Sequence, residues 1–247
     1  MSSVPNSSLV KSYFFKATGK PNGELVCYIA GFNTRNKSYE FANKTLQKMG
    51  YDVIFFNHHP AVLTAGNPQF LLDAADDISR EVLQKSKTYS QVICMGVSLG
   101  TFLGYNVQKR VPKAHVGAFA TGGVSFVPAV FSTRIFKKVA KAFTDNGYSR
   151  EDLDKIWKPL DSDPAIGSFP PDKSFIVFDG MVDRIVRYKE AKRNIESWGK
   201  RGIRVKLYTL PRRGHLLTSI YFIRHTQEIV AKTKKHHLVT EPNPANS

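Results

Sequence analysis

The sequence predicts an α/β domain built on a doubly wound, mostly parallel sheet with a short helical cap insertion. Short runs rich in β-branched and aromatic residues alternate with longer stretches of helical periodicity, which is the rhythm of strand, helix, strand units. The length of 247 residues suits one full-sized domain, able to hold a core without disulfide or metal staples. A composition of 42% hydrophobic and 23% charged residues excludes wholesale disorder and the fibrous classes.

Taken in order, strands are expected at 13–17, 24–30, 52–56, 91–95, 115–120, 174–178 and 204–210, and helices at 37–48, 68–84, 99–109, 188–198 and 216–232. In the second helix Leu71, Ala75, Ile78 and Leu83 recur at helical spacing, while Asp73, Asp76, Asp77 and Glu81 supply a solvated face. One stretch breaks the alternation. Between 120 and 174 lie more than fifty residues without a strand signal, where Phe131, Ile135, Val139 and Phe143 form an apolar stripe beside Arg134, Lys137, Lys138 and Lys141. A helical cap over 127–170 is expected, the alternative being a surface helix pair packed on the sheet. The domain is expected to span 11–239, with flexible termini at 1–10 and 240–247.

Lys and Arg number 36 against 20 Asp and Glu, a net charge of +16 that attracts polyanions, anionic membranes or acidic substrates. Eleven of the cations fall between Arg184 and Arg213, against only Glu190 and Glu196. Specific nucleic-acid binding is not expected, because zinc-finger spacing, an RNA-binding aromatic motif and a basic-zipper region are all lacking. Cys27 and Cys94 each lie inside an apolar run and read as small hydrophobes, with no spacing that suggests a disulfide framework or zinc. His58 and His59 are adjacent rather than four apart, so no metal site is expected. The polar start of the chain and the lack of an apolar run near ~18 residues predict a cytoplasmic protein.

Chemistry enters with Gly96-Val97-Ser98-Leu99-Gly100, directly after one expected strand and before a helix. G-x-S-x-G in that setting lifts a serine hydroxyl clear of the sheet on a sharp, strained turn, which leaves no room for side chains two residues either way. Leu99 N–H then stands at a helix start, where it can hold an oxyanion. A serine hydroxyl needs a base, and the base needs a carboxylate to orient it. Late in the chain, 174–178 runs into Asp179-Gly180-Met181-Val182-Asp183, and 204–210 runs into Pro211-Arg212-Arg213-Gly214-His215. Asp183 is the favoured acid, with Asp179 as its competitor, and His215 is the favoured base. A second oxyanion donor should come from the loop after an earlier strand, where Ala30-Gly31-Phe32-Asn33 offers Phe32 N–H.

These residues resemble the α/β-hydrolase superfamily over roughly 24–232. The resemblance rests on the elbow at 96–100, on Gly180-Met181-Val182-Asp183-Arg184-Ile185-Val186, on Gly214-His215, and on Trp157-Lys158-Pro159-Leu160-Asp161-Ser162-Asp163-Pro164. It implies a triad of Ser98, Asp183 and His215 that works without metal or cofactor. Two departures stand out: the oxyanion loop reads Ala-Gly-Phe where relatives often have His-Gly, and Asn57-His58-His59-Pro60 replaces a Gly-His-Gly turn. The expected activity is cleavage of carboxylic esters through an acyl-enzyme, with thioesters taken by the same route. A catalytically idle binding protein is the rival from another class. Phe126, Val127, Val130 and Phe131 are candidates to line an apolar acyl pocket, core packing being the alternative. The expected partners are a small, anionic acyl ester and, weakly, an acidic membrane surface.

Overall fold

The structure, a computed structural model, describes residues 9–163 and 169–240. The expected flexible termini lie outside these residues except at their inner ends. Seven strands form one sheet in the order β1-β3-β2-β4-β5-β6-β7: β1 Val10–Phe15, β2 Glu24–Ile29, β3 Asp52–His58, β4 Gln91–Val97, β5 Val116–Ala120, β6 Ser174–Gly180 and β7 Arg204–Leu210. Every neighbouring pair is parallel except β1 with β3, which is antiparallel. The sheet is thus mostly parallel, as its periodicity predicts.

Alternation along the strands sorts the core into two layers. Leu25, Cys27 and Ile29 join Ile54, Phe56, Val92, Cys94, Phe175 and Val177 on one face. Val26 and Tyr28 join Val53, Phe55, Ile93, Met95, Ile176 and Phe178 on the other. Both faces are covered, which is why these strands read as nearly continuous apolar runs. Cys27 and Cys94 are paired across β2 and β4 as free, buried thiols, and burial pushes the Cys27 thiol well up.

Ten α-helices that lie wholly within the described residues cover the sheet or the ends of its strands. The first seven are α1 Glu40–Lys48, α2 Ala61–Thr64, α3 Gln69–Lys85, α4 Leu99–Arg110, α5 Phe126–Ser132, α6 Lys137–Asp145 and α7 Arg150–Ile156. They are followed by α8 Tyr188–Lys200, α9 His215–Arg224 and α10 Thr226–Thr240. Two differences from expectation have local causes. The four-residue α2 is too short to carry a periodic signal. The single helix expected at 216–232 is interrupted at His225 to give α9 and α10, and beside the break the Thr226 hydroxyl bonds back to the Ile223 carbonyl at 2.9 Å, in competition with the helical ladder.

Between β5 and β6 the described residues form α5, α6 and α7, with no strand, and Val139, Phe143, Leu153 and Trp157 turn into the same core layer as α3 and α4. Trp157 anchors this segment, its indole N–H donating to the Pro68 carbonyl at 2.8 Å. No helix among the described residues is long and apolar enough to cross a membrane.

Candidate active site

β4 ends at Val97, and the chain reverses through Ser98 into α4. Ser98 holds φ 55° and ψ −118°, a backbone conformation that L-residues rarely adopt. The flanking glycines are required sterically. A Cβ on Gly96 would stand 2.2 Å from the Gly100 carbonyl oxygen, and one on Gly100 would stand 2.2 Å from that of Ile29. The turn is also tied from below: Ser98 N–H is within 3.0 Å of both the Ala120 carbonyl and the Thr121 hydroxyl, so the end of β5 holds the elbow in place.

The late loops meet this serine. His215, the first residue of α9, lies with Nε2 3.0 Å from Ser98 Oγ and Nδ1 2.9 Å from Asp183 Oδ2. A carboxylate only accepts, so Nδ1 carries the proton and Nε2 presents a lone pair to the serine hydroxyl. The other Asp183 oxygen accepts the N–H groups of Ile185 and Val186 at 2.8 and 2.9 Å, which fixes the carboxylate before the histidine arrives. The Asp183 side chain is wholly buried and the His215 side chain only 18% exposed, so little water screens their contact.

Asp179 stands apart from this chain. At the end of β6, fully buried, it accepts Gly122 N–H at 3.1 Å through one oxygen, while the other has no partner among the described residues. Burial pushes its carboxyl well above the usual range and the Asp183 charge adds to that, against the pull of Gly122 N–H. Burial thus favours the protonated form of Asp179, which lies beneath the site. It shapes the turn after β5, and His215 bonds to Asp183 instead.

Leu99 follows Ser98 at the start of α4, and Phe32 follows Gly31 in the loop after β2. Among the described residues neither Leu99 N–H nor Phe32 N–H has a protein acceptor. Gly31 abuts the elbow so closely that a Cβ there would stand 3.5 Å from Ser98 Cβ. Two residues that sequence reasoning missed hold this loop. The buried Tyr39 hydroxyl accepts Gly31 N–H at 2.9 Å, and burial, the main cause, pushes that phenol up so that it stays neutral. His58 Nε2 lies 3.2 Å from the Ala30 carbonyl, and its ring stacks on Phe32 with centroids 6.2 Å apart and planes 11° apart. Burial pushes His58 down to about 4. The only signal for it was the departure from Gly-His-Gly; Tyr39 carried none.

The residues expected to line an acyl pocket sit on α5. Phe126, Val127 and Val130 are buried in the core, with the Phe126 ring 5.0 Å from Phe102 and 5.3 Å from Trp157, and Phe131 is half-buried beside them. A hollow of about 930 Å³ lies elsewhere, between β1 and α3, where Phe14, Lys16, Glu81 and Lys85 line it. None of the residues gathered around Ser98 borders it. No group of three or more His, Cys, Asp or Glu among the described residues is placed to hold a metal ion.

No protein-family model matches the chain, and no curated protein matches it in sequence. Solved structures do. A lipase in its open form is similar at 12% identity and TM-score 0.67, over 92% of this chain and 94% of that one. The acylaminoacyl peptidase of Pyrococcus horikoshii is similar at 10% identity and TM-score 0.69, over 95% of this chain but only 40% of its own. XC6422 from Xanthomonas campestris, an α/β serine hydrolase without a lid, is similar at 14% identity and TM-score 0.55, over 90% of this chain and 88% of that one. Likeness at so low an identity is likeness of architecture, and with seven strands in this order and helices on both faces, the chain has the α/β-hydrolase fold.

Proposed function

We propose that the protein is a serine hydrolase of carboxylic esters, with Ser98 as nucleophile, His215 as general base and acid, and Asp183 as the orienting carboxylate. The observation that carries this reading is the continuous contact from Asp183 through His215 to a strained Ser98, at 2.9 and 3.0 Å. Fold alone does not choose a reaction. Ester over amide is favoured because the lipase matches this chain along nearly its whole length, whereas the peptidase has more than half its chain outside the match.

Ser98 Oγ attacks the acyl carbon as its proton passes to His215 Nε2, and the carbonyl oxygen becomes an oxyanion held by Leu99 N–H and Phe32 N–H. Collapse breaks the ester C–O bond, and the departing alkoxide takes the proton from Nε2. Water then gives a proton to Nε2 and attacks the acyl-enzyme; a second collapse frees the carboxylic acid and returns the proton to Ser98. Thioesters follow the same route. Asp183 stabilises the imidazolium that forms twice in each cycle. The helices between β5 and β6 serve as a cap, since Phe136 meets Phe32 at 6.0 Å between ring centroids and so brings this segment to the edge of the oxyanion loop.

Labelling with a fluorophosphonate probe tests the reading. Wild type should label and Ser98→Ala should not, with the circular dichroism of the two unchanged; equal labelling would sink it. A panel of p-nitrophenyl esters of graded length then measures acyl preference.

A further inference from the structure

The two loops that bring Asp183 and His215 to the serine also carry a surface that the chemistry does not use. Met181 and Val182 are 50% and 56% exposed, and Leu216, Leu217 and Ile220 are 70%, 52% and 36% exposed. Val182 N–H donates to the Arg213 carbonyl at 3.2 Å and Met181 N–H to the Leu210 carbonyl at 3.1 Å. The loops are thereby stitched side by side. On α9, Leu216 and Ile220 are four residues apart and Leu217 and Ile220 three, so they share one side of its first turns.

Arginines adjoin these apolar residues along both loops and α9. Arg184, Arg187, Arg212 and Arg224 are exposed, and the guanidinium of the half-buried Arg213 lies 4.6 Å from the Tyr221 ring centroid. Among the described residues none of the five forms an ion pair. Within 180–187 and 210–224 the only acid is Asp183, and it is committed to His215. Aliphatic side chains held in water gain only by leaving it, and unpaired guanidinium groups gain by meeting phosphates. A nucleic acid would use the arginines and leave the leucines wet; an anionic lipid interface uses both.

We propose that this face docks the protein on an anionic phospholipid surface. Leu216, Leu217, Ile220, Met181 and Val182 enter the boundary between headgroups and acyl chains, while the arginines bind lipid phosphates. Docking places the mouth of the Ser98 site at the membrane, where lipid esters reach it; this supply of substrate rests on the hydrolase reading, and docking itself does not.

Co-sedimentation of the full chain with vesicles tests this. Partition should be strong onto phosphatidylcholine containing about a third phosphatidylserine, weak onto phosphatidylcholine alone, and lower at high salt. Arg184→Ala with Arg212→Ala should weaken partition about thirtyfold, from the usual contribution of each cation near such a surface. Leu216→Ser with Leu217→Ser should weaken it roughly tenfold or more. Circular dichroism of each variant reports whether its fold is intact, and Ile220→Ser alone is the milder substitute where the pair unfolds.

Equal partition onto both vesicle types, or a leucine variant that partitions like wild type, overturns the proposal. So does steeply salt-dependent binding to duplex DNA by a protein that ignores vesicles. A dimer in sedimentation velocity that the leucine substitutions dissolve, without vesicle binding, would assign the face to a second copy of the chain and overturn it too. Turnover of a soluble p-nitrophenyl ester, measured on the same samples, separates the two readings. Protein that binds vesicles but is inert counts against the hydrolase alone; active protein that ignores vesicles counts against docking alone.

Discussion

Within a single loop, Asp183 and Met181 stand two residues apart and face opposite surroundings: the Asp183 side chain is wholly buried, and Met181 is half exposed. His215 and Leu216 repeat the contrast across one peptide bond. The floor of the site is set by exclusion, by what the backbone around Gly96, Gly100 and Gly180 leaves no room for. At its rim the backbone is tied from loop to loop, but the side chains of Met181, Val182, Leu216 and Leu217 stand in solvent. Substitution should therefore act on chemistry and stability at the floor, and on association at the rim.

The sharpest way to break this contrast is to compare the two buried carboxyls. Asp183→Asn should lower kcat by about 10⁴-fold, because an amide in place of the carboxylate favours the wrong tautomer of His215. Asp179→Asn should lower it by less than about tenfold, since an amide stands in well for a neutral acid. Rates on one soluble ester decide; equal losses would make Asp179 part of the triad. Asp179 also has a pH signature. Its folded form holds the proton that the unfolded chain loses, so its contribution to stability is present at low pH and is lost as pH rises above the ordinary carboxyl range. Asp179→Asn should be more stable than wild type at neutral pH, by an amount that shrinks on acidification.

His58 gives a shift of the opposite sign. Its folded form stays neutral down to about 4, whereas the unfolded chain takes up a proton near 6.5. Its contribution is intact above about pH 6.5 and is lost as pH falls toward 4, by about 3 kcal/mol over that window. Urea midpoints across this range should show a proton-linked slope in wild type that is absent in His58→Gln. Of similar size, Gly100→Ala should cost about 3 kcal/mol, because the new methyl group meets the backbone of β2 rather than a movable side chain. A small shift in its melting temperature would mean that the elbow can relax. At the rim, Leu217→Ser should change stability by no more than about 0.5 kcal/mol in solution, and a larger loss by calorimetry would show that the residue packs.

This division also decides what could be read from the chain. The elbow was legible because its constraints lie within five residues, and each glycine answers to a backbone clash that is close in sequence or one strand away. Asp183 and His215 were legible from their places after the last two strands. Tyr39 was not, because a tyrosine eight residues from Gly31 looks the same whether its hydroxyl meets water or that glycine's N–H. The antiparallel β1 was equally silent, since strand direction leaves no mark on alternation. Phe126 and Val130 illustrate a third limit: an apolar stripe reads alike whether it lines a channel or fills a core, and in the structure it fills the core.

A Cβ on Gly100 is barred by the carbonyls of Ile29 and Ala30, the residues that lead directly into Gly31 and Phe32. Main chain thus meets main chain between the elbow that carries Ser98 and the loop opposite, with no side chain between them to act as a spacer. The separation of the two is a fixed gauge, insensitive to most changes of residue type around it. Changes of side chain elsewhere along β2 and α4 leave this main-chain contact in place. The exposed side chains of Met181, Val182, Leu216 and Leu217 lie outside this contact and can change without moving it.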